Sequence, residues 1–134
     1  MEINTQLIQN YLNKLTTSIK DIDNEEIKNL VKLLERKHKD RHQIFIVGNG
    51  GSSATSSHFV CDLAKTVLGK KPEKSEIKRF KVFSLTDNTP LVTAIGNDIS
   101  YDHIFSEQLK KENEIIVNIQ QYKCIFFIKY FILG

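Results

Sequence analysis

The run Ile44-Phe45-Ile46-Val47 stops at Gly48-Asn49-Gly50-Gly51-Ser52-Ser53, and this junction limits what the chain can fold into more than any other stretch. A half-exposed strand alternates apolar and polar residues, whereas this run is apolar throughout and rich in β-branched side chains, so it reads as a short strand buried on both faces. The glycines break that strand, and the serines after them suit the first turn of a helix. A buried strand leading through a glycine turn into a helix is the opening of a parallel, helix-covered sheet.

The flanking sequence extends the pattern. Ile3, Leu7, Tyr11, Leu15, Ile19 and Ile22 recur every three or four residues and predict an amphipathic helix whose apolar stripe must pack on something. Asp23, with Glu26 three positions on, marks the start of a second helix with Ile27, Leu30, Val31 and Leu34 on its buried face. The basic cluster at 37–42 suits the negative end of that helix and reads as a solvated last turn. Helical spacing resumes at Phe59, Leu63, Val67 and Leu68, followed by a polar loop over 69–76. Residues 80–85 read as a second strand, 86–90 as its exit loop, 91–95 as a short helical turn, 101–111 as a helix and 115–119 as a third strand. Strands alternating with helices predict parallel pairing through right-handed crossovers, hence an α/β fold.

Composition narrows the function. At 134 residues and 40% hydrophobic content, the chain has material for one modest core. A net charge of +3, with basic and acidic residues interleaved, gives nucleic-acid binding no electrostatic support. Cys61 and Cys124 lie far apart, without a His or Cys at ligand spacing; they suit reduced thiols, Cys61 as a small packing residue. The first eleven residues lack the basic-then-apolar order of a signal peptide, and the apolar run 124–133 is interrupted by Lys129 and too short to span a bilayer. The expectation is a cytoplasmic protein without a membrane anchor.

In open parallel sheets, ligands sit beyond the carboxyl ends of the strands, where 48–53 and 86–90 both fall. In the first loop, glycines let backbone N–H groups approach an anion, the helix offers its positive end, and Ser52 and Ser53 add hydroxyls. The third glycine of a dinucleotide fingerprint is replaced by Ser53, and no Lys follows as in a Walker loop, so phosphate without a nucleotide is the reading; a tight turn capped by Ser is the alternative. His58 and Asp62, four residues apart, share one helix face and can share a metal or a proton, or else form an ordinary surface pair.

The stretches GNGGSSATSSHFVCDLAK and FSLTDNTPLVTAIGNDISYDHIFSEQL resemble the phosphoheptose isomerases, a branch of the sugar isomerase (SIS) domain family, and the resemblance runs from the first helix to about Ile119. It implies a three-layer, flavodoxin-like parallel sheet flanked by helices, with two further helices at the N-terminus (1–42) ahead of a partial SIS domain (43–119). It also implies an aldose-ketose isomerase acting on sedoheptulose 7-phosphate in heptose synthesis for surface polysaccharide, assembled as a homotetramer with sites between subunits. Carried onto this chain, Asn49, Gly50, Gly51 and Ser52 hold the substrate, Asp87 and Asn88 contact it, His58 is a zinc ligand, and Asp62 is a second ligand and the catalytic carboxylate. Such a carboxylate moves a proton between adjacent carbons through an enediol. The non-catalytic alternative within the same family is a sugar-phosphate sensor or interaction scaffold.

Three positions depart from the pattern: Asp62 stands for the usual Glu, Thr66 for an Arg, and Asn88 for the Asp of many members. After Ile119 the family has a Ser/Thr-rich second phosphate loop and then a Gln and a His for the metal; here Gln120-Gln121-Tyr122-Lys123 and an apolar tail (120–134) follow. This predicts either a reading frame lost near Ile119, leaving the C-terminal part of the fold missing and an inactive fragment, or an authentic strand buried at an oligomer interface. Sequencing the downstream region separates them: frame loss predicts that a shifted frame encodes the missing loop and helices, and an empty shifted frame sinks it.

Overall fold

The computed structural model describes residues 4–68, 78–110, 115–122 and 125–132. Ile3, the loop expected over 69–76, the helix end at Lys111, and Cys124 lie outside the described residues. The elements are α1 (Thr5–Lys20), α2 (Asn24–Lys39), β1 (Gln43–Val47), α3 (Gly51–Ala64), β2 (Lys81–Ser84), α4 (Thr89–Asp98), β3 (Ile115–Tyr122) and β4 (Ile125–Ile132), with 3-10 turns at Thr66–Leu68 and Tyr101–His103. Among the described residues the strands form one sheet in the order β2-β1-β3-β4.

β1 is the central strand of the expected parallel sheet. It pairs in parallel with β2 (Ile44 opposite Val82, Phe45 opposite Phe83) and with β3 (Ile44 opposite Ile115, Val47 opposite Asn118). Side chains alternate across a strand, so its apolar run feeds two cores. Ile44 and Ile46, both 0% exposed, join Leu30, Leu33 and Leu34 of α2, Leu63 of α3, and Val82. Phe45 and Val47 turn the other way, onto Leu85, Leu109 and the partly buried Phe105. Cover on both faces is why β1 shows no alternation. β4 pairs antiparallel to β3, from Ile115 opposite Ile132 to Tyr122 opposite Ile125. That pairing follows from a short connection between consecutive strands, which a parallel crossover does not allow. β3 itself continues past Ile119 to Tyr122.

Local chemistry explains the helix ends. Asn4 accepts from the N–H groups of Gln6 and Leu7, and Asp23 accepts from that of Glu25, so both N-terminal helices begin on side-chain caps. The basic end of α2 does more than face solvent. His38 stacks on Phe80 at 4.2 Å between ring centroids and bonds to the Lys78 carbonyl, while the Arg41 guanidinium donates to the Arg79 carbonyl at 2.9 Å. These contacts fasten α2 to the approach of β2.

Several expectations change. No residue of α1 is buried: Leu7 is 68% exposed, Tyr11 52% and Ile19 56%, so most of the predicted stripe is left exposed among the described residues. The sheet-facing set of α2 is Leu30, Leu33 and Leu34, an i, i+3, i+4 group, while Ile27 and Val31 lie outside that contact and are exposed. α3 ends at Ala64, short of the apolar spacing that reached Leu68, and Cys61 is exposed. The exit loop after β2 is shorter than predicted because α4 already begins at Thr89: Asn88 caps it by accepting from the Leu91 N–H, and Pro90 is tolerated in a first turn. Residues 101–110 are not one regular helix. Ile104 and Leu109 are both buried but five apart, about 140° around a helix; turns set Leu109 in the core with Phe45, Val47 and Leu85 and Ile104 at the edge of the sheet's cleft. No described helix is long and apolar enough to cross a membrane.

Truncating the fully buried centre of β1, Ile46→Ala, is expected to cost about 2–5 kcal/mol, measured by denaturant unfolding.

Candidate functional site

The turn after β1 is set by two steric demands. A Cβ on Gly48 would lie 2.5 Å from the Ser52 carbonyl oxygen and 2.8 Å from the Ser56 hydroxyl, well inside contact distance. Glycine lets the start of α3 close onto the end of β1. Gly50 has φ 56° and ψ −126°, a left-handed conformation that side chains disfavour. Small residues continue the close packing: Ser52 and Ser56, one turn apart on the same face, are buried, and Ser56 Oγ donates to the Ser52 carbonyl at 2.8 Å. Ser52 and Ser53 N–H groups bond back to the carbonyls of Asn49 and Gly50, both at 3.0 Å. Gly50 offers no side-chain acceptor as N-cap, so no side chain competes for the positive end of α3.

β2 delivers a second helix start to the same edge. A cleft of about 230 Å³ opens between them, bordered by Gly48, Asn49, Gly50 and Ser53 on one side and by Thr86, Thr89 and Val92 on the other. Tyr101, Ile104 and Phe105 close its remaining wall. That wall is held by Gln108, whose Nε2 donates to the Leu85 and Ile104 carbonyls at 3.1 and 2.7 Å. Every bordering residue among those described is uncharged, so an anion here would meet backbone dipoles and hydroxyls.

The residues singled out in the sequence divide between the cleft and its surroundings. Asn49 and Gly50 border it; Gly51 begins α3 beside it; Ser52 is buried beneath the turn. Asn88 is the cap of α4, with its acceptor oxygen already used. Asp87 turns toward α3, where its Oδ1 accepts from Ser57 Oγ. Thr86 and Thr89 fall in the loop 86–90 that the sequence placed at this edge without naming them singly; Val92, Tyr101, Ile104 and Phe105 are cleft residues that the motif reading passed over. Thr89 follows from placing the start of α4 one residue after its Asn cap; the wall residues follow only from the irregular path of 101–110.

His58 and Asp62 do meet, as the spacing predicted, with Nε2 3.6 Å from Oδ2. Their side chains are 79% and 46% exposed, and neither borders the cleft. The other Asp62 oxygen accepts from Thr66 Oγ1 at 3.0 Å. A catalytic zinc takes three protein ligands. Among the described residues no group of three His, Cys, Asp or Glu side chains comes together, so this pair does not by itself fit a zinc ion.

A parallel sheet whose central strand ends in an uncapped glycine-serine turn, beside a second helix start, is an α/β arrangement with its cleft at the carboxyl edge of the strands. Comparison with known proteins agrees. No family model matches the sequence. Phosphoheptose isomerase of Clostridium acetobutylicum is 31% identical over 98 residues, 71% of this chain and 47% of that protein. The enzyme of the same name from Syntrophotalea carbinolica is 32% identical over 109 residues, 79% of this chain and 53% of that one. The structure of a phosphoheptose isomerase from Francisella tularensis superposes with a TM-score of 0.75 at 20% identity, covering 90% of this chain and 63% of that chain, and so shares the fold. The chain is a phosphoheptose isomerase-like SIS homologue, and it spans about half the length of the curated relatives it matches.

Two outcomes follow from this geometry. Gly48→Ala is expected to lower stability by at least about 2 kcal/mol, since either the backbone of Ser52 or the strand end must move. Asp62→Ala, in contrast, is expected to cost no more than about 1 kcal/mol, as befits an exposed pair. Parallel thermal melts check both.

Proposed function

We propose that the chain binds a sugar phosphate in the cleft between the starts of α3 and α4. The observation that carries this reading is the uncapped glycine turn at the head of α3, which borders the same cleft as Thr86 and Thr89. A phosphoryl group would sit at the α3 start, and the neutral hydroxyl and amide groups of Asn49, Thr86 and Thr89 would face sugar hydroxyls. The relatives' name points to a heptose phosphate as the preferred ligand, and the family resemblance of the sequence to sedoheptulose 7-phosphate, the substrate of an aldose-ketose isomerase that forms D-glycero-D-manno-heptose 7-phosphate.

Recognition without turnover is the form of this function that the chain's own residues favour. The proton-transfer carboxylate of the isomerase reading, Asp62, is bound to His58 and Thr66 outside the cleft. A ligand that binds only the native state raises its stability by about 2.7 kcal/mol at a hundred times its dissociation constant, equivalent to several degrees in melting temperature. Sedoheptulose 7-phosphate is expected to produce such a shift, and ATP is not. Equal shifts with both, or with neither, contradict sugar-phosphate recognition. NMR of the same mixture separates the two forms: accumulation of the aldose would establish turnover.

We further propose that α1 is covered by a second copy of the chain in a homo-oligomer, which is what its exposed Leu7, Tyr11 and Ile19 call for. Sedimentation is expected to show an assembly that Leu7→Glu with Ile19→Glu dissociates. A wild-type protein that sediments as a single chain contradicts this.

A further inference from the structure

Ser57 is the residue that joins the two sides of the cleft. It stands in the second turn of α3, and its hydroxyl lies between the Ser53 carbonyl, at 3.1 Å, and Asp87 Oδ1, thirty residues away in the loop between β2 and α4. A hydroxyl has one proton, and the closer, charged acceptor takes it. Asp87 follows Thr86 and precedes the cap Asn88, so fixing its carboxylate fixes the backbone that presents Thr86 and Thr89 to the cleft. The bond also turns a negative charge toward α3 and away from the cleft border, where an incoming phosphate would meet it. Ser57 borders no part of the cleft itself.

We infer that Ser57 is a positioning residue: it latches Asp87 to α3 and so sets the distance between the phosphate end and the sugar end of the site. This inference rests on the sugar-phosphate reading and deepens it. The α3 start stays in place when the latch is cut, because Gly48, Ser52 and Ser56 hold it independently. The loop after β2 loses its tie. Loss of Ser57 therefore weakens the grip on the sugar and leaves the grip on bare phosphate.

The test is calorimetric titration of wild type, Ser57→Ala, Asp87→Ala and the double variant with sedoheptulose 7-phosphate and, separately, inorganic phosphate. Ser57→Ala is expected to weaken sugar-phosphate binding about tenfold, in keeping with the loss of one hydrogen bond to a charged group, and to leave inorganic phosphate within about twofold. In the double variant, the Ser57 change is expected to add little to Asp87→Ala. Equal weakening toward both ligands, no change toward either, or full additivity would each overturn the latch. Should Ser57→Ala fail to fold, Asp87→Ala alone must show the same selectivity between the two ligands. A wild-type protein that binds no sugar phosphate instead removes the reading on which the latch rests.

Discussion

The close approach of β1 and α3 is the contact on which the rest of the site depends. It exists because position 48 carries no Cβ: the Ser52 carbonyl and the Ser56 hydroxyl occupy the space a side chain would need. The helix start can therefore sit directly over the strand end, and the buried serines of α3 are the second half of the same fit. Everything at this edge of the sheet inherits its position from that fit. The first turn of α3 faces the cleft without a capping side chain, and Ser57 is placed one turn later, within reach of the neighbouring loop.

The same contact explains the electrostatic character of the cleft. With no Lys or Arg among the described bordering residues, attraction for the proposed anion would come from helix dipoles and oriented N–H groups, which need no side-chain ordering on binding. Under the sugar-phosphate proposal, such a site would favour a compact dianion with neutral hydroxyls attached over an extended polyanion. The His58–Asp62–Thr66 ladder belongs to a different surface of α3. Its carboxylate is matched by His58 on α3 and by Thr66 in the 3-10 turn that follows, a local arrangement along the chain.

How far the sequence revealed this depends on which residues are asked. The strand at 44–47 and the helix after the glycines were legible because burial on both faces and the need for glycine are both written locally. The cap Asp23 was legible as a residue type, whereas Asn88 was read only as a substrate contact, and with Thr89 and Pro90 placed in a loop the true start of α4 was missed. The faces of α1 and α2 were not. Apolar spacing states that a stripe exists but not what covers it, so Leu7, Ile27 and Val31 read as buried when the chain leaves them exposed. Residues 101–110 read as a helix but follow turns, which bury Leu109 against Phe45 and Val47 and set Ile104 at the cleft. Asn49, Gly50 and the pairing of His58 with Asp62 came from motif and spacing. Tyr101, Phe105 and the Ser57–Asp87 bond came only from the tertiary path.

The central claim is that an anion is held by the backbone at the start of α3, beside the loop leaving β2. The most direct measurement is a titration of isotope-labelled protein with sedoheptulose 7-phosphate, followed amide by amide by NMR. The account predicts the largest shifts at the N–H groups of Gly50, Gly51, Ser53 and Thr89, with small changes at His58 and Asp62. Shifts concentrated instead at the basic end of α2, or around His58 and Asp62, would contradict it.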